Sequence, residues 1–185
     1  MAFFSRFAAV LLLAVLSPVL LVLAVACVAS QGRPVLFRQH RAGKDAKPFE
    51  LLKFRSMKDL RDSTGKPLPD EKRVTGIGKF LRRSRLDELP GLINVARGEM
   101  AFIGPRPLLP HTIDELGNRG RSRCRVKPGL TGWSQVNGNT LLSLDQKIDL
   151  DLWYVENRTA LLDARIVLRT FLVMVGGEKL RIGAA

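Results

Sequence analysis

The sequence opens with a long apolar run that ends near residue 30. Residues 7–30 carry no charged side chain, and as a helix they rise about 36 Å, more than the roughly 30 Å of a bilayer's hydrocarbon core. Pro18 follows Ser17 in the middle of this run. Because proline removes a helical hydrogen bond and crowds the preceding turn, the pattern predicts a membrane helix that is bent at this pair.

The basic residues around the apolar run leave two topologies open. Arg6 precedes the run, and Arg33, Arg38 and Arg41 follow it. Since lysine and arginine are retained on the cytoplasmic side, charge on both flanks favours a helix that enters the bilayer and returns to the same face. The length of the run fits a helix that crosses. A signal peptide is the weaker interpretation, because the run is long and no disulfide pattern follows it.

The rest of the chain alternates short apolar segments with turn-forming residues. Residues 34–39 and 48–54 have the pattern of two strands joined by a polar turn, which predicts a β-hairpin. Residues 59–72 have no apolar period and predict an exposed loop, after which a helix is expected from Thr75. Residues 143–157 and 160–175 show the spacing of amphipathic helices. Trp153 and Tyr154 lie within the first of these, as candidate anchors at a membrane interface.

Charge is distributed unevenly along the chain. The 185 residues carry a formal net charge of +13, of which residues 31–86 contribute +10 from 16 Lys/Arg and 6 Asp/Glu. A basic block beside a membrane segment gains about 1 kcal/mol per residue near anionic lipid, and no recognised nucleic-acid-binding motif accompanies it. We therefore expect phospholipid headgroups and an anionic substrate as partners, and no nucleic acid. Two cysteines in the whole chain exclude a secreted disulfide scaffold.

The first acidic residues after the basic block are adjacent. Asp87 and Glu88 stand in Leu86-Asp87-Glu88-Leu89-Pro90, and Ser84 is a candidate N-cap that would place both acids in the first turn of a helix. Acids in a first turn complement the helix dipole, which is the ordinary structural explanation. Arg82 and two neighbouring arginines favour a functional interpretation, because nearby cations keep carboxylates ionised. An ionised carboxylate can attack phosphorus or bind a divalent metal.

Two further segments carry groups that bind anions. Arg106 stands between Pro105 and Pro107, which push its backbone towards an extended conformation and preset the direction of a guanidinium suited to phosphate. Residues 119–127 place a basic residue at every second position, Arg125 among them, so in an extended strand all five would lie on one face. The plain interpretations are a rigid turn for the first segment and a solvated edge for the second.

Together these segments resemble the monotopic phosphoglycosyl transferases, in the small form limited to the catalytic core. These are the bacterial sugar transferases that start glycan assembly on a polyprenyl phosphate. The matching pieces occur in family order over nearly the whole chain: Ser17-Pro18, Lys53-Phe54-Arg55-Ser56-Met57, Leu86-Asp87-Glu88-Leu89-Pro90, Gly104-Pro105-Arg106-Pro107, Lys127-Pro128-Gly129-Leu130-Thr131-Gly132, Gln135-Val136-Asn137-Gly138, and a tail with Asp151, Tyr154, Asp163 and Thr170. No single piece is decisive, but the combination is specific.

The resemblance implies a reaction, a mechanism and a cofactor. The family moves a phosphosugar from a UDP-sugar to polyprenyl phosphate, here expected to be undecaprenyl phosphate, and releases UMP. This is the first membrane step of glycoconjugate or polysaccharide assembly. By the resemblance, Asp87 is the nucleophile that forms a covalent aspartyl-phosphosugar, Glu88 and Asp87 hold Mg²⁺, and the Ser17-Pro18 pair breaks the membrane helix so that it re-enters. Asn139 stands where many members have arginine, so the way the nucleotide base is recognised does not carry over.

We therefore expect a helix-rich α+β fold with a re-entrant kinked helix, a small β-hairpin and interfacial amphipathic helices. Residues 1–32 form the membrane-embedded unit, and residues 33–185 form a catalytic domain on the cytoplasmic face of the bacterial inner membrane. The expected partners are a UDP-sugar, a polyprenyl phosphate and membrane phospholipid, and a homodimer is left open. The candidate substrate-binding residues are Lys53, Arg55, Arg82, Pro105, Arg106, Pro107, Arg125, Gln135 and Asn137.

Two other functions compete with this interpretation. A non-enzymatic, membrane-tethered basic module would bind lipid or nucleic acid and would tolerate the loss of Asp87. A different enzyme on a polyprenyl carrier, such as a glycosyl transferase, would release UDP instead of UMP. The two histidines, His40 and His111, lack the clustering of a zinc site and are assigned no catalytic role.

Overall fold

The computed structural model describes residues 2–177 and is rich in helix, with two small sheets. Its helices are α1 (Ala2–Gln31), α2 (Asp70–Arg73), α3 (Gly76–Ser84), α4 (Gly91–Arg97), α5 (Pro110–Glu115), α6 (Gly117–Arg123), α7 (Trp133–Val136), α8 (Leu144–Asn157) and α9 (Ala160–Gly176). Its strands are β1 (Leu36–Ala42), β2 (Pro48–Phe54), β3 (Ala101–Ile103) and β4 (Gly129–Thr131). The helix-rich α+β class is confirmed. Residues 178–185, the end of the predicted catalytic domain, lie outside the described residues.

The first helix matches the apolar run. Phe4–Gln31 is long and apolar enough to cross a membrane, by length and composition only. The helix continues without a break through Pro18, which has no N–H to donate to the carbonyl of Ala14, four residues earlier. The hydroxyl of Ser17 donates to that carbonyl instead, at 2.7 Å. The long apolar helix is confirmed, while the bend at the Ser17-Pro18 pair stays a prediction.

Both halves of α1 pack on the same body. In the first half, Ala9 is fully buried in an apolar cluster that includes Val95 of α4. In the second half, Cys27 is fully buried with Phe54 of β2 and Leu81 of α3. Between Ala9 and Cys27 the helix rises about 27 Å, so its contacts with the rest of the protein extend over most of its length.

Arg55, which follows β2, closes the C-terminal end of α1. Its guanidinium donates to the carbonyls of Gln31, Gly32 and Arg33. Gln31 is itself buried, and its amide donates to the hydroxyl of Thr75 at 3.2 Å. A cation is favourable at a helix C-terminus because it pairs with the last carbonyls and with the negative end of the dipole. Arg55 therefore fixes the exit of α1 against the β-hairpin.

The predicted β-hairpin is confirmed, since β1 and β2 pair antiparallel along their whole length. Asn94 of α4 is fully buried and joins that helix to β2. Its amide donates to the carbonyl of Glu50 at 2.7 Å, and its side-chain oxygen accepts from the N–H of Leu52 at 3.1 Å. The amide also donates to the carboxylate of Glu99 at 2.6 Å. These bonds hold α4 against β2. The loop expected over residues 59–72 is shorter than predicted, because α2 occupies its end.

The second sheet positions the proline-rich segment. β3 and β4 pair in parallel, with Ile103 opposite Thr131. Gly104 follows β3, where a Cβ atom would overlap the backbone of residues 127–129. Glycine at this position permits the close approach, which holds Gly104-Pro105-Arg106-Pro107 beside the start of β4.

The predicted strand of alternating basic residues is wrong. Residues 117–123 form α6, in which every second side chain turns by about 200° around the helix axis. Arg119 therefore lies at the surface, paired with two aspartates of α8, whereas Arg123 is 4% exposed. Gly120 lets α6 lie against α5, because a Cβ there would overlap the carbonyl of Ile113. This helix–helix contact decides the local structure, and a charge pattern of period two does not report it.

The two predicted C-terminal helices are confirmed as α8 and α9. Ser143 caps α8 in a capping box with Gln146, and Thr159 caps α9. The expectation of an interfacial anchor at Tyr154 is wrong, because this side chain is 1% exposed and its hydroxyl donates to Asp163 at 2.6 Å. Trp153, the other candidate anchor, is partly buried and stacks on Trp133, with 5.3 Å between ring centroids.

Candidate active site

The acidic pair lies in a tight turn between α3 and α4. Leu86–Glu88 form a 3-10 turn, and Arg85 before it adopts the left-handed conformation, with φ of 57°. Ser84 does not cap the following helix as predicted. It ends α3, and its hydroxyl donates to the carbonyl of Phe80 at 2.8 Å. The reversal at Arg85 brings the pair against β2.

Glu88 is held by two cations. Its Oε1 accepts from Lys53 Nζ at 2.8 Å and from Arg106 Nη2 at 2.6 Å. The side chains of Lys53 and Glu88 are each 19% exposed, so the ion pairs are partly shielded from water. Strand β2, the acidic turn and the segment after β3 thus meet at one carboxylate oxygen. The sequence motifs identified these three residues separately but not their contact.

The two neighbouring carboxyls are shifted in opposite directions. Burial alone would raise the pKa of Glu88, but the charges and hydrogen bonds of Arg106 and Lys53 outweigh it and lower that pKa to about 2. Burial raises the pKa of Asp87, and the charge of Glu88 raises it further against the cations nearby. Two acids whose environments separate their pKa values are suited to two different roles. Glu88 is therefore ionised at neutral pH, and the carboxylate of Asp87 is the more basic of the two.

A polar cleft of about 750 Å³ opens beside the pair. Its volume is in the range of small-molecule sites. Phe37 and Met57 contribute apolar wall, and Asp87 and Glu88 contribute negative charge. The density of guanidinium groups around two carboxylates suits a diphosphate, which arginine can contact with two parallel hydrogen bonds. The basic residues that line the cleft are Arg41, Lys53, Arg55, Arg61, Arg73, Arg82, Arg85 and Arg106.

Arg106 is held from behind by a buried polar network that sequence reasoning missed. Arg123 donates from Nε to Asp151 Oδ2 at 2.7 Å and also donates to the backbone carbonyl of Arg106. The hydroxyl of Ser134 donates to Asp151 Oδ1 at 2.7 Å. A buried ion pair is stable only when its remaining polar atoms are satisfied, and this network meets that condition while fixing the backbone of Arg106. The signal in the sequence was obscured because Arg123 belonged to the alternating pattern.

The structure brings most of the predicted site residues together. Asp87, Glu88, Lys53, Arg55, Arg82 and Arg106 all line the polar cleft. Arg82 donates from Nε to the hydroxyl of Ser56 at 2.8 Å. Pro105 and Pro107 flank Arg106 and are buried, and the carbonyl of Pro107 accepts from Arg41 at 3.2 Å.

Three predicted substrate ligands do not line the polar cleft. Asn137 is 1% exposed, donates to the carbonyl of Trp133 and accepts from Arg169, each at 2.7 Å. Gln135 is buried, donates to the carbonyl of Leu130 at 3.1 Å and lines a separate, apolar cavity. Arg125 is exposed and is not part of the cleft wall.

The cleft also contains residues that the sequence did not assign to the site. In the sequence, Arg41 stood out only as one of the basic residues that follow the apolar run, and Arg85 only as a neighbour of the acidic pair. Asn139 and Thr140 line the cleft too. They directly follow the Gln135-Val136-Asn137-Gly138 segment, so that segment was a usable signal for the right region but pointed to the wrong side chains.

Asp87 and Glu88 supply oxygen ligands of the kind that Mg²⁺ prefers, and they would hold such an ion together with substrate oxygens. Among the described contacts, both hydrogen bonds to Glu88 are accepted by Oε1, so Oε2 is the oxygen that could bind a metal ion. No group of three or more His, Cys, Asp or Glu side chains able to hold a metal occurs within residues 2–177. Mg²⁺ commonly takes one or two carboxylates and completes its shell with waters and substrate phosphates. The donor set is suited to that mode.

Comparison with known proteins places this geometry in a family. A sequence model of bacterial sugar transferases matches residues 2–177. The uncharacterized sugar transferase EpsL of Bacillus subtilis (strain 168) is 43% identical over 167 residues, which cover 90% of this chain and 83% of EpsL. The UDP-glucose:undecaprenyl-phosphate glucose-1-phosphate transferase of Escherichia coli (strain K12) is 41% identical over 88% of this chain.

The relatives differ in length from this chain. An Aeromonas hydrophila protein, UDP-N-acetylgalactosamine-undecaprenyl-phosphate N-acetylgalactosaminephosphotransferase, is 35% identical over 92% of this chain. The matched region is 37% of the Escherichia coli protein and 42% of the Aeromonas protein. The chain therefore spans less than half the length of these two relatives and most of the length of EpsL.

Proposed function

Since the chain belongs to the bacterial sugar transferase family, we propose that it transfers a phosphosugar from a UDP-sugar to polyprenyl phosphate, in particular undecaprenyl phosphate, and releases UMP. This would be the first membrane step of a bacterial glycan assembly. The observation that carries the proposal is the acidic pair at the edge of a cleft lined by arginines, with Lys53 and Arg106 on Glu88. The names of the two longer relatives support the choice of donor and acceptor.

Asp87 is the nucleophile in the proposed mechanism. Its carboxylate attacks the phosphorus that carries the sugar, the bond from that phosphorus to UMP breaks, and an aspartyl-phosphosugar remains. A phosphate oxygen of the lipid acceptor then attacks the same phosphorus, and the Asp87 carboxylate leaves. The raised pKa of Asp87 supports this role, because a more basic oxygen is the better nucleophile.

The cations around the pair stabilise the charge that the donor brings. Arg106 and Lys53 contact Glu88 and line the cleft beside Asp87, so the oxygens of a diphosphate there would meet fixed positive charge. Glu88 and Asp87 would hold Mg²⁺, which neutralises phosphate charge when bound. Glu88 stays ionised at all physiological pH values, since its pKa is lowered to about 2.

The packing of α1 supports a re-entrant or surface-bound helix over a crossing one. Ala9 and Cys27 lie in different halves of α1 and are both buried against the domain that carries the cleft. A crossing helix would carry its first half away from a domain on one side of the bilayer. We propose that α1 enters and leaves on the side of the membrane where the cleft lies, and that this side is the cytoplasmic face of the inner membrane. Cysteines introduced at Ser5 and Arg33 should then be labelled from the same side, and labelling from opposite sides would contradict this topology.

The covalent intermediate gives the decisive test of the reaction. The protein is incubated with a set of UDP-sugars in the absence of lipid, and its intact mass is measured. We expect one phosphosugar adduct with the correct donor, released UMP, and no adduct on D87N. The matched control is D114N, because Asp114 is an exposed aspartate outside the cleft. Release of UDP would reject the proposal in favour of a glycosyl transferase, and turnover without an adduct in the wild type would reject the covalent route.

A further inference from the structure

An apolar groove lies next to the polar cleft, on the other side of Arg85 and Glu88. The groove has a volume of about 320 Å³ and lies between α9, the β3–β4 sheet and the start of α4. Arg85 and Glu88 line both the groove and the polar cleft, so the two cavities are neighbours at the acidic turn. The proposed chemistry of the donor uses the polar cleft and gives no role to this groove.

One face of α9 forms the outer wall of the groove. The residues of that face are spaced i, i+3, i+4 and i+7, as neighbours on a helix surface are; they are Val167, Thr170, Phe171 and Met174. A different face of α9, which contains Leu162 and Ile166, is buried in the core. The groove-facing side chain of Phe171 is 62% exposed, so nothing within residues 2–177 covers this wall. A continuous apolar surface of this kind marks a binding site.

The end of the groove nearest the acidic pair is basic. The C-terminal turn of α9 forms a further cavity with Arg82, Arg83 and Arg85. Guanidinium groups are well suited to phosphate. A ligand that lies across this junction would place an anionic group between the arginines and Asp87 and an apolar group along α9. The apolar groove and the basic cavity at the end of α9 are therefore together complementary to an amphiphile with one anionic end.

We propose that the apolar groove binds the isoprenoid units of the acceptor that lie next to its phosphate. This inference rests on the proposed function, which supplies a polyprenyl phosphate as second substrate. A nucleotide sugar has no apolar portion to fill the groove. The groove holds the units nearest the phosphate, and the remainder of the chain stays in the bilayer. Binding there orients the attacking phosphate oxygen towards the phosphorus carried by Asp87.

Tryptophan substitutions on α9 distinguish an effect of the groove from an effect of the exposed surface beside it. V167W fills the groove from its wall, and L168W changes the next residue, which is exposed and does not line the groove. M174W and L172W form a second pair of the same design. All four positions are at least 40% exposed, which favours folding of every variant, and a melting curve in detergent checks it.

Two measurements are made on each variant. Exchange of labelled UMP into the UDP-sugar, without lipid, reports the donor half-reaction. The KM for undecaprenyl phosphate at one fixed detergent composition reports the acceptor half-reaction. We expect V167W and M174W to raise this KM about tenfold or more, the equivalent of displacing one or two apolar groups, with unchanged UMP exchange. L168W and L172W should stay within about twofold of the wild type.

Each outcome decides the proposal. Equal KM values for groove variants and their controls overturn it, whether all are unchanged or all are raised, since a uniform rise indicates a general bilayer contact of α9. A fall in UMP exchange equal to the rise in KM also overturns it, because the groove would then serve the donor. If the wild-type protein transfers a phosphosugar to no polyprenyl phosphate and releases no UMP, the proposed function and this inference are both overturned. If the wild type turns over normally and V167W and M174W have the same KM as their controls, only the assignment of the groove is overturned.

Discussion

Arg106 Nη2 lies 2.6 Å from Glu88 Oε1, although the two residues are 18 positions apart in the sequence. The bond joins the segment after β3 to the acidic turn, and it keeps a guanidinium at the edge of the cleft where a diphosphate is proposed to bind. Arg106 keeps Glu88 ionised, and in the proposed reaction it also presents hydrogen-bond donors to phosphate. Lys53, on the same oxygen, also keeps Glu88 ionised.

Replacing Arg106 by lysine is expected to lower kcat/KM by about 10² to 10³, because an ammonium keeps the charge but cannot make two parallel bonds to phosphate. The measurement is UMP release under single-turnover conditions. R97K is the matched control, since Arg97 is exposed at the end of α4 and is not part of the cleft wall. An R106K enzyme with wild-type kcat/KM would remove Arg106 from phosphate binding.

Chelation of divalent cations is expected to stop UMP release, and added Mg²⁺ is expected to restore it. The reason is that Asp87 and Glu88 supply two carboxylates, and Mg²⁺ in this mode exchanges readily because substrate completes its shell. The same titration on E88Q should require more Mg²⁺ for half-maximal activity. Full activity in excess chelator would show that Arg106 and Lys53 neutralise the phosphate charge without a metal.

Loss of the Asn94 side chain is expected to destabilise the fold. N94A removes the bonds to Glu50 and Leu52 and leaves buried backbone groups of β2 without partners, which should lower the free energy of unfolding by about 2–4 kcal/mol. N118A is the control, because Asn118 is exposed on α6, and it should change this free energy by less than about 0.5 kcal/mol. Chemical unfolding in detergent measures both, and equal effects would refute the structural role of Asn94.

A comparison of the Arg123–Asp151 and Arg119–Asp145 ion pairs tests how burial changes the effect of breaking an ion pair on the free energy of unfolding. D151N leaves the charge of Arg123 buried and without its counterion, so the free energy of unfolding should fall by about 3–5 kcal/mol. D145N disrupts an ion pair in which the Asp145 side chain is 79% exposed, so the change should stay below about 1 kcal/mol. A D151N protein as stable as D145N would indicate that water solvates Arg123.

The single tyrosine of the chain gives a pH-dependent signal. Burial, with the hydrogen bond to Asp163, raises the pKa of Tyr154 well above its ordinary value of 10.0. The folded protein therefore keeps this proton where the unfolded chain loses it, and stability should fall as the pH rises above about 10. Tyrosinate absorbance should be absent in the folded state just above pH 10 and appear on unfolding. Tyrosinate formation in the folded protein near pH 10 would contradict the burial of this side chain.

Local patterns predicted the elements of this fold better than its contacts. The apolar run, the hairpin and the two C-terminal helices follow from hydrophobic period and turn residues, and the structure has all of them. Residues 119–127 were misread, since a period of two in charge does not override helix packing at Gly120. Tyr154 was misread for a related reason, because periodicity shows which face of a helix is apolar but not whether protein or lipid covers it.

The candidate site was predictable as a set of motifs and not as an arrangement. Asp87 and Glu88 stood out as adjacent acids directly after a basic block, and Arg106 stood out as an arginine between two prolines. Their meeting with Lys53 at one oxygen depends on the hairpin register and on Asn94, which are tertiary features. Arg123 was hidden for the same reason, because its partners Asp151 and the carbonyl of Arg106 are distant in sequence.

The burial of Ala9 and Cys27 means that the apolar helix α1 is also part of the hydrophobic core. A truncated protein without α1 would lose the buried partner of Val95 at one end and of Phe54 and Leu81 at the other. Cutting at residue 32 would therefore expose the interior of the remaining domain instead of yielding a water-soluble enzyme. In the proposed membrane-bound enzyme, this packing fixes the height of Asp87 above the lipid headgroups, so the acidic pair would meet the acceptor at one depth.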